Sequence, residues 1–163
     1  MSLLLINSSN LISHSLIKTL RASTSLEKIV CADLYPGYFA YERWFKFKDQ
    51  LEKEPQSKVQ VTDIKFEEKS DLYNAIKKSS HVLYVTHDYY KLVPSKVTLL
   101  PNAAKLAKEI GVKKFVVVNP VEHFHYGEQN VYATHVKAEE EARSTDLYTS
   151  TFIFIVIVLP YFF

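Results

Sequence analysis

The chain has 163 residues, 47% of them apolar and 23% charged, ordinary values for one domain large enough to bury a core. Its net charge is +2 and its lysines alternate with acids instead of forming a stripe, which argues against nucleic acid as a main partner. Only three glycines and one cysteine occur, so a second glycine-rich loop, an internal disulfide and a cysteine-built metal site are excluded.

Leu3 to Ile6 is an apolar run that predicts a first strand. A polar turn follows, then an amphipathic helix with Leu11, Ile12, Leu16, Ile17 and Leu20 on one side. Ile29 to Ala32 predicts a second strand ending on Asp33, with Cys31 expected to be an inert core thiol. The next connection is dense in aromatics, and a helix over Tyr41 to Lys53 is expected to bring Trp44, Phe45 and Phe47 near one another. Part of that cluster reads as core and part as an interaction face. Val59 to Ile64 predicts strand three, Asp71 to Lys78 a helix, and His81 to Thr86 a strand buried on both faces. A helix from about Ser95 to Ile110 stops at Gly111, and Phe115 to Val118 is strand five. His135 to Ser144 is helical in pattern, and Thr151 to Leu159 is a β-branched and aromatic run read as strand six. That run is too short for a membrane helix, which needs roughly 20 apolar residues. The apolar Tyr161, Phe162 and Phe163 call for cover by a partner, a membrane surface or further chain.

Strands alternating with helices imply right-handed crossovers and a parallel sheet. The expected fold is α/β, a doubly wound Rossmann-like sheet of about six strands in three α/β/α layers, formed as a single domain over residues 1–163. No secretory signal is visible, because the first apolar run is short and leads directly into the fold, so an intracellular chain is expected.

In dinucleotide-binding folds the turn after the first strand carries glycine-x-x-glycine-x-x-glycine. Here those places hold Asn7, Asn10 and Ser13. Asparagine is the best non-glycine substitute at positive φ and serine is small, so the turn can form while close phosphate approach is impaired. Asp33 at the tip of strand two matches the acid that accepts hydrogen bonds from an NAD ribose, and equally a surface turn aspartate. Arg43 or Lys46 would instead suit the extra phosphate of NADP. Histidines 14, 81, 87, 123, 125 and 135 lack zinc-type spacing, and no metal site is expected from them.

Thr62-Asp63-Ile64, the strand Val112-Lys113-Lys114-Phe115-Val116-Val117-Val118, the stretch Lys137-Ala138-Glu139-Glu140-Glu141 and the approach Asp146-Leu147-Tyr148-Thr149 fall in a telling order. Together they make residues 2–160 resemble the N-terminal part of extended and atypical short-chain dehydrogenases/reductases. That group includes the NAD-dependent epimerase/dehydratase family, the NmrA-like redox sensors and a Rossmann-type accessory subunit of respiratory complex I. The resemblance implies NAD or NADP as cofactor. The cofactor-facing set would be Asn7, Asn10, Leu11, Ile12, Ser13, Asp33, Asp63, Ile64 and Thr86, with Asp63 at the adenine. It implies a catalytic set of Asn119, Tyr132 and Lys137, and here the chain departs from the pattern. Asn119 stands where catalytic members carry serine, and the residue four before Lys137 is Ala133, with Tyr132 one position out of phase. On a helix that offset is a rotation of about 100°.

The substrate-binding part of such proteins lies mostly beyond strand six. Two functions follow: a non-catalytic accessory or assembly subunit or weak dinucleotide sensor, with cofactor affinity weak or lost, and an NAD(P)-dependent oxidoreductase or epimerase/dehydratase-like enzyme. The first implies a protein partner or larger complex, located in the cytoplasm or on the mitochondrial matrix side, with membrane contact only through the apolar C-terminal end.

Overall fold

The computed structural model describes residues 1–8, 11–33, 42–54, 57–63, 69–85, 99–120, 137, 140–145 and 149–154. In chain order these form β1 (Ser2–Ile6), α1 (Leu11–Arg21), β2 (Lys28–Asp33), α2 (Glu42–Glu52), β3 (Val59–Asp63) and α3 (Lys69–Lys77). They continue with β4 (His81–Val85), α4 (Leu99–Ile110), β5 (Lys114–Pro120) and β6 (Thr149–Phe154). Residues 140–143 are also helical. The six strands form one sheet in the order β3-β2-β1-β4-β5-β6, and every pairing is parallel. This is the doubly wound order expected of strand–helix alternation, with the reversal between β1 and β4.

The period-2 alternation of the strands divides the core into two layers. On one face Leu3 and Leu5 of β1, Ile29 and Cys31 of β2 and Val59 of β3 pack against Ile17 of α1 and Phe47 and Leu51 of α2. On the other, Leu4 and Ile6 of β1 and Val82 and Tyr84 of β4 meet Leu72 and Ile76 of α3 and a run of small residues, Ala103, Ala104 and Ala107, on α4. Those alanines let α4 lie close to the sheet, and Tyr84 and Phe115 of the neighbouring strands β4 and β5 stack beneath it at a centroid distance of 6.5 Å. Burying each large aliphatic side chain contributes about 1.5–3 kcal/mol, so both faces are needed to hold a sheet this wide. Cys31 is fully buried, as expected of a core thiol.

The end of α4 follows the sequence reading closely. Gly111 sits at φ 82°, its N–H donates to the carbonyl of Lys108 at 3.1 Å, and the Val112 N–H donates to that of Ala107 at 2.9 Å. This left-handed stop satisfies two terminal carbonyls and turns the chain into β5 with Val112 buried.

Two expectations need correction. Phe45 and Phe47 do not cluster: Phe47 is buried beside His14, ring centroids 4.6 Å apart, while Phe45 is 45% exposed. Residues two apart on a helix lie about 200° apart around its axis, so one faces the sheet when the other faces water. The third helix begins at Lys69, two residues before the expected Asp71, which places Asp71 in the first turn where the helix dipole favours an acid. The expected strand-four and strand-six ends beyond Val85 and Phe154, and the helix start at 95–98, lie outside the described residues.

At the amino-terminal rim of the sheet, Ser2 and Ser80 join β1 to the start of β4. The Ser2 N–H donates to Ser80 Oγ at 3.2 Å, and the Ser80 N–H donates to Ser2 Oγ at 3.0 Å. Ser80 Oγ also lies 2.8 Å from His81 Nδ1. Burial, reinforced by the charges of Lys113, Lys114 and the chain amino group, holds the His81 imidazole below its ordinary pKa of about 6.5. The unfolded chain therefore takes up this proton before the folded one. The contribution to stability is complete above about pH 6.5 and is lost as the pH falls through the lower folded-state value. Denaturant midpoints measured at about pH 7.5 and about pH 5.5 should drop on acidification, and the drop should be smaller in His81→Gln.

Candidate functional site

In doubly wound sheets ligands gather beyond the carboxyl ends of the strands where the strand order reverses. Here that point lies between the ends of β1 and β4, and its central residue is Asn7. Asn7 adopts φ 65° and is only 1% exposed. It is the one non-glycine residue at positive φ among the described residues, in the place where a glycine would be expected.

Three hydrogen bonds explain how asparagine holds that conformation. Its backbone N–H donates to the Ala32 carbonyl near the end of β2 at 2.9 Å. Its side-chain amide donates from Nδ2 to the Val85 carbonyl at the end of β4 at 2.6 Å. Its own carbonyl accepts a hydrogen bond from the hydroxyl of Ser13, in the first turn of α1, at 2.6 Å. A single residue thus ties β1 to both neighbouring strands and to the helix that follows. The amide spans the reversal point itself.

Ser8 comes next, with its N–H 3.3 Å from the same Ala32 carbonyl. Its hydroxyl is fully buried and has no hydrogen-bond partner among the described residues. A buried hydroxyl left unpaired costs about 1–3 kcal/mol.

The other residues singled out from sequence fall as follows. Leu11 opens α1, and Ile12 is half-buried in its first turn. Asp33 and Asp63 end β2 and β3 and are direct register partners, so the two acids are neighbours at the carboxyl edge of the sheet. Asn119 lies in β5 beside Ile153 of β6. Lys137 is exposed and helical. Asn10, Ile64, Thr86 and Tyr132 lie outside the described residues, as do His87, His123, His125 and His135. The structure therefore brings Asn7 and Ser13 together and sets Asp33 beside Asp63. Among the described residues no group of three or more histidine, cysteine or acidic side chains is placed to hold a metal, and no helix is long and apolar enough to cross a membrane.

Sequence reasoning missed Ser8 and the carbonyls of Ala32 and Val85. Ser8 carried a usable signal, a hydroxyl directly after the strand-one turn residue. The two carbonyls carried none, because backbone acceptors have no residue-type signature.

No family model matches the sequence, and no curated protein matches it. Solved structures do match. The triphenylmethane reductase of Citrobacter sp., solved with NADP(H), superposes with a TM-score of 0.66 at 15% identity, covering 93% of this chain and 48% of the reductase. Bordetella bronchiseptica WbmH, solved with NAD+, gives 0.68 at 12% identity over 93% of this chain and 55% of that protein. The negative transcriptional regulator NmrA gives 0.68 at 13% identity over 93% and 44%. The chain thus has the Rossmann-like fold shared by extended short-chain dehydrogenases/reductases and NmrA-like proteins, and it spans about half the length of these matches.

The bonding of Asn7 can be tested by substitution. Asn7→Ala removes the bond to Val85 and places a Cβ-bearing residue without a polar side chain at φ 65°, so it should cost about 2–3 kcal/mol. Asn7→Gly loses the same bond but relieves the backbone, and should cost about 1 kcal/mol. Urea denaturation of the two variants measures the difference. Equal losses would show that the left-handed conformation is not maintained in solution.

Proposed function

We propose that this chain is a non-catalytic Rossmann-fold protein, an accessory or assembly subunit or a weak dinucleotide sensor, in which affinity for NAD or NADP is weak or lost. The observation that carries this reading is the Asn7 amide bound to Val85 across the reversal point of the sheet. The first glycine of the pattern makes the tight turn with no side chain and the second lets a pyrophosphate approach the backbone; here a buried, hydrogen-bonded Asn7 side chain at the first place and Asn10 at the second add bulk beside that approach. Ser13, at the third glycine place, spends its hydroxyl on the Asn7 carbonyl, which reinforces the closed turn. The residues at this turn do not fit a closely seated pyrophosphate.

The rest of the cofactor set is compatible with a residual, looser contact. Asp33 and Asp63 would meet the ribose and adenine end, and Ile64 and Thr86 would flank it. The Ser8 hydroxyl, without a partner among the described residues, offers one donor at the turn. An intracellular location and a protein partner belong to the same reading.

Calorimetric titration of the full chain with NADH and NADPH tests it. Dissociation constants weaker than about 1 mM are expected, and Asn7→Gly with Asn10→Gly should tighten binding at least about tenfold. Micromolar binding by the unaltered chain would contradict the steric argument.

A second reading, an NAD(P)-dependent oxidoreductase or epimerase/dehydratase-like enzyme, is supported by the structural likeness to reductases solved with NADP(H). In that reading Tyr132 would donate a proton to the reacting oxygen, Lys137 would lower its pKa, and Asn119 would polarise the carbonyl. The one-residue offset of Tyr132 and the amide at Asn119 weigh against it. The expected outcome is no cofactor-dependent turnover by the isolated chain. Turnover abolished by Tyr132→Phe would establish the enzyme reading instead.

A further inference from the structure

The edge of the sheet opposite the reversal point is formed by the starts of the strands. In a parallel sheet every strand begins at that rim and every crossover helix ends there. Cations scattered along the sequence are therefore gathered in one place by the fold. The connections that lead into β2, β3, β4 and β5 are residues 22–27, 53–58, 78–80 and 111–113, all described except residues 55 and 56. They carry Lys53, Lys58, Lys78 and Lys113, while Lys28 and Lys114 open β2 and β5. The acids on these connections are Glu27 and Glu54, and both are already paired, Glu27 with the chain amino group and Glu54 with Arg21.

Lys53 and Lys78 stand one residue past α2 and α3, where the helix dipole favours a cation. That local effect does not account for Lys28, Lys58 and Lys113, which stand at or directly before strands. Lys58 donates to the Ser23 carbonyl. Lys53, Lys78 and Lys113 are exposed and Lys28 is half-buried, and none of the four forms an ion pair among the described residues. The excess of positive charge is felt at His81, the first residue of β4. Burial, then Lys113, Lys114 and the chain amino group, holds its imidazole below the ordinary value.

The rim from β3 to β5 follows the strand order β3-β2-β1-β4-β5, so at about 4.8 Å per strand the row of cations is about 19 Å long. An extended chain rising about 3.4 Å per residue covers that row with about six residues, about three of whose side chains face it. The exposed aromatics among the described residues, Phe45 and Tyr73, lie inside α2 and α3 and not on the rim connections, so the rim offers no platform for stacked bases. The exposed large apolar side chain at this end is Met1, which is little apolar area for seating in a lipid interface. Carboxylates on an extended chain need only mobile point charges at matching intervals, and lysines supply those.

We propose that the amino-terminal rim of the sheet is a docking surface for an acidic, extended segment of a partner protein, laid across the strand starts from β3 to β5 with its carboxylates on Lys28, Lys78 and Lys113. Charge complementarity of this kind speeds encounter and rejects basic partners. The surface lies at the opposite end of the sheet from Asn7 and does not depend on whether a dinucleotide binds there.

The test uses the full chain and a synthetic octapeptide of alternating glutamate and serine, with the His81 ring followed by NMR and assigned by its loss in His81→Gln. Binding should move the His81 titration midpoint upward, because carboxylates offset the lysines, and should leave the Asn7 and Ser8 amides unchanged. Replacing Lys28, Lys78 and Lys113 together by glutamine should weaken binding at least about tenfold, and replacing them by arginine should preserve it. Binding should be lost in about 1 M salt, where the screening length falls to about 3 Å. Equal binding of a glutamine–serine peptide, full affinity in the glutamine variant with its denaturant midpoint unchanged, or a static His81 midpoint would each overturn the proposal. So would tighter association with vesicles of phosphatidylserine and phosphatidylcholine, with a DNA duplex or with inorganic phosphate at the same charge concentration.

Discussion

A left-handed residue directly after a central strand must be held there, because L side chains disfavour that backbone conformation by roughly 1–2 kcal/mol. At Asn7 the holding is done by the side chain itself. Its amide reaches the last carbonyl of β4, and its backbone N–H reaches Ala32 of β2. The helix α1 is then positioned by Ser13, whose hydroxyl closes onto the Asn7 carbonyl. Glycine would make this turn through conformational freedom and leave the space above it open. Asparagine makes the same turn through fixed hydrogen bonds to the strands on both sides.

Both halves of the sheet depend on this arrangement. On the β2 side, the Ala32 carbonyl receives both Asn7 and Ser8. On the β4 side, the clasp is repeated at the opposite rim by Ser2 and Ser80. The central pair of strands is therefore pinned at both ends by short polar side chains, while Leu4, Ile6, Val82 and Tyr84 fill the layer between. Buried polar groups of this kind are stabilising when satisfied and costly when not, and the Ser8 hydroxyl has no partner among the described residues.

The parallel sheet and most element positions were legible because the chain alternates two clear periods. Runs such as Leu3 to Ile6 and Phe115 to Val118 are bounded by polar turns, and Gly111 sits one residue past a helical pattern, where only a left-handed stop is expected. The positive φ of Asn7 was legible for a similar reason, as asparagine in a glycine's place. Its hydrogen-bond partner was not: Val85 is 78 residues away, and the contact exists only once β4 is laid beside β1. The faces of α2 were equally hidden, since Phe45 and Phe47 differ only in which one the sheet happens to meet.

That long separation has a consequence for how the chain acquires its structure. β1 finds β2 after one short helical crossover, but its other neighbour begins only at His81, after β3 and α3. Until then the side of β1 that β4 will cover is an open edge, with Leu4 and Ile6 exposed on the layer that α3 and α4 complete. The entropic cost of closing a loop of this length must be met before the β1–β4 contacts repay it. The Asn7 amide can form its bond only after that pairing. The side chain that spans the reversal point therefore bonds only when both central strands are in place.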